Sequence, residues 1–170
     1  MTIFRFLLAP ILGIVVFMFT ATGIEAFGQY LYPPPAEITE LTTQLPEAFK
    51  LRDQEALDEI RLKLDAAMST YFNSAPVGAL LFVMFAWIAA AFFGGLVAAG
   101  VAPMFKIPMA IFIGFIDVMG ILVVALQINY PIWMPIGGMV GGLAMSWVAG
   151  VRQVKTAERR KQTTSGPAGA

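Results

Sequence analysis

Two carboxylates stand where carboxylates are costly. Glu25 follows the apolar run Phe6 to Ile24, and Asp117 lies inside Ile113-Gly114-Phe115-Ile116-Asp117-Val118-Met119-Gly120. An ionised Asp at the centre of a membrane helix costs about 2.5–3.5 kcal/mol on insertion scales, so such a residue faces other helices, is protonated or has a polar partner. Asp117 precedes Gln127 by ten residues and Glu25 precedes Pro33 by eight. At the helical rise these distances put them ~15 Å and ~12 Å from the same end of their spans. At that depth they can meet and share one proton, the arrangement of a proton or cation relay. The plainer alternative is a hydrogen bond to Thr20, Thr22, Ser146 or a backbone carbonyl; a third is contact with a partner subunit.

Little else in the chain offers chemistry. There is no histidine and no cysteine, which removes the usual ligands of zinc, copper and haem, the thiolate nucleophile and the commonest general base. Gly94-Gly95 and Gly137-Gly138 lie within apolar runs and lack the lysine of a phosphate loop. The 14 Phe and 10 Met read as fillers of membrane packing rather than the lining of a pigment, quinone or lipid-cofactor pocket. The expectation is therefore no enzyme, no metal, no cofactor and no nucleic-acid partner.

The elements that position these residues are membrane spans. The chain of 170 residues is 58% hydrophobic and 13% charged, with mean hydropathy +0.76, a composition outside the globular range. About 20 apolar residues cross a bilayer. Residues 1–32 form a first helix, read as retained rather than cleaved: Thr22-Gly23-Ile24-Glu25-Ala26 is not the small-x-small pattern a signal peptidase prefers. Pro33-Pro34-Pro35 stops it. Residues 77–102, 108–128 and 132–151 form three more spans. Residues 33–76 are polar and hold an amphipathic helix at about 46–72, opened by Pro46, with Leu57, Ile60, Leu64, Met68 and Tyr71 at helical spacing. A short helix or turn is expected before it. Residues 152–170 read as a basic, disordered tail.

Helix association in lipid has no hydrophobic drive, so small residues mark close backbone approach. Span two carries Ala86, Ala90, Gly94, Ala98 and Ala102 four apart, with Ala91, Gly95 and Ala99 beside them. Span four carries Gly138, Gly142, Ser146 and Gly150. These two stripes are expected to face each other.

Charge sets the orientation. One end of the bundle carries seven positive residues (Arg5, Lys106, Arg152, Lys155, Arg159, Arg160, Lys161) against Glu158 alone, whereas residues 33–76 hold four positive against eight acidic. The positive-inside rule makes both termini cytoplasmic and the amphipathic segment extracytoplasmic. Tyr30, Tyr32, Tyr71, Tyr130 and Trp133 then gather at the outer interface.

Glu25-Ala26-Phe27-Gly28-Gln29-Tyr30-Leu31-Tyr32-Pro33-Pro34-Pro35, Pro76-Val77-Gly78-Ala79-Leu80-Leu81-Phe82 with the later Trp87 and Phe93-Gly94-Gly95, and Tyr130-Pro131-Ile132-Trp133 resemble a group of small, uncharacterised bacterial four-helix membrane proteins. The likeness covers the four spans and implies an inner-membrane location but no activity. Where that group often carries a histidine, this chain has Gln29.

Together these readings give an all-α, four-transmembrane-helix bundle with an extracytoplasmic amphipathic helix between spans one and two. The expected role is a non-enzymatic integral inner-membrane protein in contact with the lipid bilayer, either an accessory subunit of a larger membrane complex or a small homo-oligomer. The alternative is a small proton-coupled carrier using Asp117 and Glu25.

Overall fold

The structure, a computed structural model, describes residues 2–164. These form six helices: α1 (Thr2–Leu31), α2 (Ala36–Leu51), α3 (Gln54–Ser74), α4 (Val77–Val101), α5 (Lys106–Gln127) and α6 (Trp133–Thr164). No strand occurs among the described residues. α1, α4, α5 and α6 are long and apolar enough to cross a membrane. They run in alternating directions, with α4 in the middle against α1, α5 and α6.

The bundle interior is made of small residues and its exterior of large ones. On α4 the buried positions include Ala86, Ala90, Ala91, Gly94, Gly95, Ala98 and Ala99, while Phe85 and Phe93 point outward. α1 exposes Phe4, Leu7, Ile11, Val15, Met18 and Phe19, and α5 exposes Phe112, Phe115, Met119 and Leu126. Such a surface suits hydrocarbon, where apolar exposure carries no penalty and close backbone packing supplies cohesion.

The small-residue stripes do not simply face each other as the sequence spacing suggests. The Ala90–Gly94–Ala98 row of α4 turns to α1. A Cβ added at Gly94 would lie 2.8 Å from the Gly13 carbonyl, and one at Gly13 would lie 2.8 Å from the Ala98 Cβ. The second row meets α6: a Cβ at Gly95 would lie 3.5 Å from the Ser146 Cα, and one at Gly142 would lie 3.6 Å from the Ala91 Cβ. Gly150 packs on α5 instead, with Ile107 and Ala110 around it. α4 has neighbours on two sides, so its two rows serve two partners. The small residues of α1 that complete the first contact are Ala9, fully buried, and Gly13.

The segment between spans one and two is a helical hairpin rather than one long amphipathic helix. Pro46 lies inside α2, where it removes one backbone donor to the carbonyl a turn earlier without ending the helix. The break comes at Arg52-Asp53. Arg52 adopts the left-handed conformation at φ 54°, and the N–H groups of Arg52 and Asp53 donate to the carbonyls of Phe49 and Ala48 at 3.2 and 3.3 Å, satisfying the orphan acceptors of the helix end. The Asp53 carboxylate then caps α3 by accepting from the Ala56 N–H at 3.1 Å. Ile38, Leu41, Ala48 and Leu57 are buried as the two helices pack together. On the outer surface of α3 the Lys63 ammonium, 2.7 Å from Glu59, holds that carboxyl below its usual range.

α3 docks on the end of the bundle. Phe72 is buried with Leu80, Ile128 and Met134, the Asn129 N–H donates to the Ser69 hydroxyl at 3.1 Å, and the Asn73 amide donates to the Asn129 carbonyl at 3.2 Å. At the opposite end the Lys106 ammonium donates to the Ala99 and Ala102 carbonyls at 2.9 and 3.1 Å, neutralising the negative end of α4. Arg5 and Arg160 lie close enough to act electrostatically on Lys106.

α6 runs on through Thr164, so residues 152–164 of the expected disordered tail are helical. Their charged side chains suit a solvated helix extension. The rest of that segment, 165–170, lies outside the described residues.

Candidate functional site

Helical periodicity places Glu25, Gly28 and Gln29 on one face of α1, since residues three and four apart share a face, and Tyr32 follows at the helix end, its N–H donating to the Gly28 carbonyl at 2.8 Å. Ala79, Val83 and Trp87 share a face of α4 by the same rule. Leu64, Met68, Tyr71 and Phe72 do so on α3. These faces, with Ile38, Thr39, Thr42 and Thr43 of the α2 region, Val124, Ile128 and Tyr130, enclose a cavity of 580 Å³. The α2–α3 hairpin forms its roof, and α1 and α4 form its walls.

α1 and α4 come close at the hairpin end of the cavity. A Cβ added at Gly28 would lie 2.7 Å from the Phe82 ring, and one at Gly78 would lie 2.6 Å from the Tyr32 hydroxyl. Phe27 and Phe82 also meet, with ring centroids 6.0 Å apart.

Glu25 is the polar focus of the cavity. The Trp87 indole N–H faces its carboxylate, and the Glu25 charge acts on the Tyr130 phenol. Burial, reinforced by that charge, pushes the Tyr130 hydroxyl above its usual range, so it remains a protonated donor at any physiological pH. Trp87 and Tyr130 stack edge to face at 6.0 Å, and Phe72 lies 4.5 Å from Tyr130, centroid to centroid. The result is one carboxylate among aromatic rings, walled by apolar side chains and a few hydroxyls.

Asp117 is elsewhere. It is 2% exposed and sits between α5 and α6, where its Oδ2 occupies the space that a Cβ at Gly142 would take. Among the described residues that oxygen has no hydrogen-bond partner. Ser146, an expected partner, donates instead to the Leu143 carbonyl of its own helix at 2.8 Å, and its hydroxyl fills the space beside Gly114. The cavity lining includes Glu25 and excludes Asp117, so the two carboxylates are not brought to one site. Similar depth in two helices does not make two side chains neighbours; rotation about each helix axis decides that, and it aims Glu25 at Trp87 and Asp117 at Gly142.

The packing residues lie where contact is closest. Ala90 and Ala98 are fully buried toward α1, Ser146 is fully buried between α5 and α6, and Gly94, Gly138 and Gly142 are buried against Phe17, Trp87 and Asp117 respectively.

Sequence reasoning passed over Trp87, Phe82 and Gly28 as site residues and placed Tyr32, Tyr71 and Tyr130 only at a membrane interface. A usable signal was present. All four tyrosines of the chain fall at the Glu25 end of the bundle, and Trp87 is the one indole in a stretch of Ala, Gly and Phe. Among the described residues no group of three or more Asp and Glu could hold a metal ion. Comparison with protein-family models, curated proteins and solved structures finds no match to this chain.

Proposed function

We propose that this chain is a non-enzymatic integral membrane protein that holds an amphipathic small molecule in the cavity beneath the α2–α3 hairpin. The observation that carries this reading is the cavity itself. Its 580 Å³ falls within the roughly 300–1,000 Å³ of small-molecule sites, and apolar walls with a few convergent polar groups are their usual composition. The charge asymmetry between the two ends supports an orientation with both termini cytoplasmic and the hairpin extracytoplasmic, and the resemblance of the four spans to small bacterial membrane proteins supports an inner-membrane location. The cavity then opens at the depth of the outer leaflet. Binding in this manner fits an accessory subunit or self-associating component that receives a molecule from the membrane. The carrier alternative rests on Glu25 alone, because Asp117 lies outside the cavity.

The test is purification in native lipid discs followed by mass spectrometry of bound small molecules, beside Thr42→Trp, which puts an indole at an exposed position of α2 that lines the cavity. A molecule retained by the natural chain and lost from the variant, with both folded to similar melting temperatures, supports the reading. Identical bound material in the two overturns it.

A further inference from the structure

We propose that the ligand of this cavity is a lipophilic monocation, its positive head against Glu25 and its apolar body along α3 and α4. The inference deepens the binding reading above and rests on it. Its basis is charge complementarity. Among the residues lining the cavity, Glu25 is the only one that carries a charge. Among the described residues no ion pair joins it to an Arg or Lys. A monocation seated there would be the counter-charge that keeps this carboxylate in its charged form, since the protein supplies none. The surrounding surfaces suit a cation rather than a second hydrogen-bonding anion. Trp87, Tyr130, Tyr71 and Phe72 line the same cavity as Glu25, and aromatic linings are a recurrent way to hold quaternary ammonium groups.

The same chemistry discriminates between sources of an ammonium group. A zwitterionic lipid headgroup brings a phosphate with its ammonium, and the cavity lining offers no basic residue to meet it. Lys63 lines the neighbouring cavity beyond Tyr71 instead and is already bonded to Glu59. A simple cation with an apolar body leaves no such group unpaired.

The experiment uses the full chain in maltoside micelles and equilibrium dialysis of radiolabelled tetraphenylphosphonium. Competitors are dodecyltrimethylammonium, dodecanol and lysophosphatidylcholine. Saturable binding is expected, weakened at least tenfold in Glu25→Gln, unchanged in Asp117→Asn, and displaced by dodecyltrimethylammonium at least tenfold more effectively than by either other competitor. Unchanged affinity in Glu25→Gln, or displacement by dodecanol as effective as by the cation, overturns the monocation and leaves a site for neutral amphiphiles. Equal displacement by lysophosphatidylcholine overturns it in favour of a zwitterionic headgroup. Absence of saturable binding overturns it too; retention of a neutral molecule that Thr42→Trp loses would then preserve the binding reading alone.

Discussion

At the scale of single residues, Asp117 and Gly142 form one unit. The carboxylate fits only because position 142 lacks a side chain. Gly142→Ala alone should therefore cost about 1–3 kcal/mol by overpacking. In an Asp117→Ala background the same change should cost less than about 0.5 kcal/mol, because the clashing group is gone and nearby pairs are non-additive. Thermal unfolding of the four members of this cycle checks the coupling. Additive costs would show that the two positions do not compete for space. Asp117→Ala itself should cost little, since it removes a buried oxygen that has no partner and a lost hydrogen bond is not part of the balance.

At the scale of elements, two junctions hold the site together. The first is the crossing of α1 and α4 at Gly13 and Gly94, where each backbone stands in the space a side chain would need. Gly94→Leu should lower stability by more than the about 1–3 kcal/mol typical of overpacking, whereas Leu122→Phe, at a 41% exposed position on α5, should change it little. Melting temperatures in detergent test this, and equal values for the two variants would remove the crossing from the account. The second junction is the α2–α3 turn. Asp53→Ala deletes the cap of α3 and should cost about 0.5–2 kcal/mol. Since the hairpin roofs the cavity, hydrogen exchange at the start of α3 should quicken while exchange within α4 stays slow. Uniform quickening would mean that the hairpin and the bundle unfold as one unit.

At the scale of the whole molecule, charge and aromatic residues divide the bundle into two unlike ends. One gathers Arg5, Lys106 and the basic extension of α6; the other holds the acidic hairpin, the tyrosines and the cavity. A reporter fused after Ala170 should be active only as a cytoplasmic protein, and one inserted near Gln54 only as an extracytoplasmic one. The reverse pattern would invert the membrane orientation and move the cavity to the inner leaflet. Because that cavity is bounded by five of the six helices, truncation after Ser74 should abolish it together with the fold.

Sequence alone determined the apolar spans, their ends apart from that of α6, and their small-residue stripes, because each depends on local properties: uninterrupted apolar length, proline at a boundary, and side-chain size repeated every four residues. It also identified the residues of interest, since a carboxylate in an apolar run is costly wherever the run is placed. What only the tertiary structure decided is which faces meet. α4 turns one stripe to α1 and the other to α6, a choice set by the rotation of each helix and by Gly13, whose meaning is invisible until a partner stands against it. The hairpin break at Arg52-Asp53 was hidden by Pro46, a stronger local signal that α2 tolerates where its side is exposed. The cavity is the furthest from sequence. It joins Glu25 to Trp87 and Tyr130 across more than one hundred residues, and their proximity arises from the packing of separate helices, which no local pattern encodes.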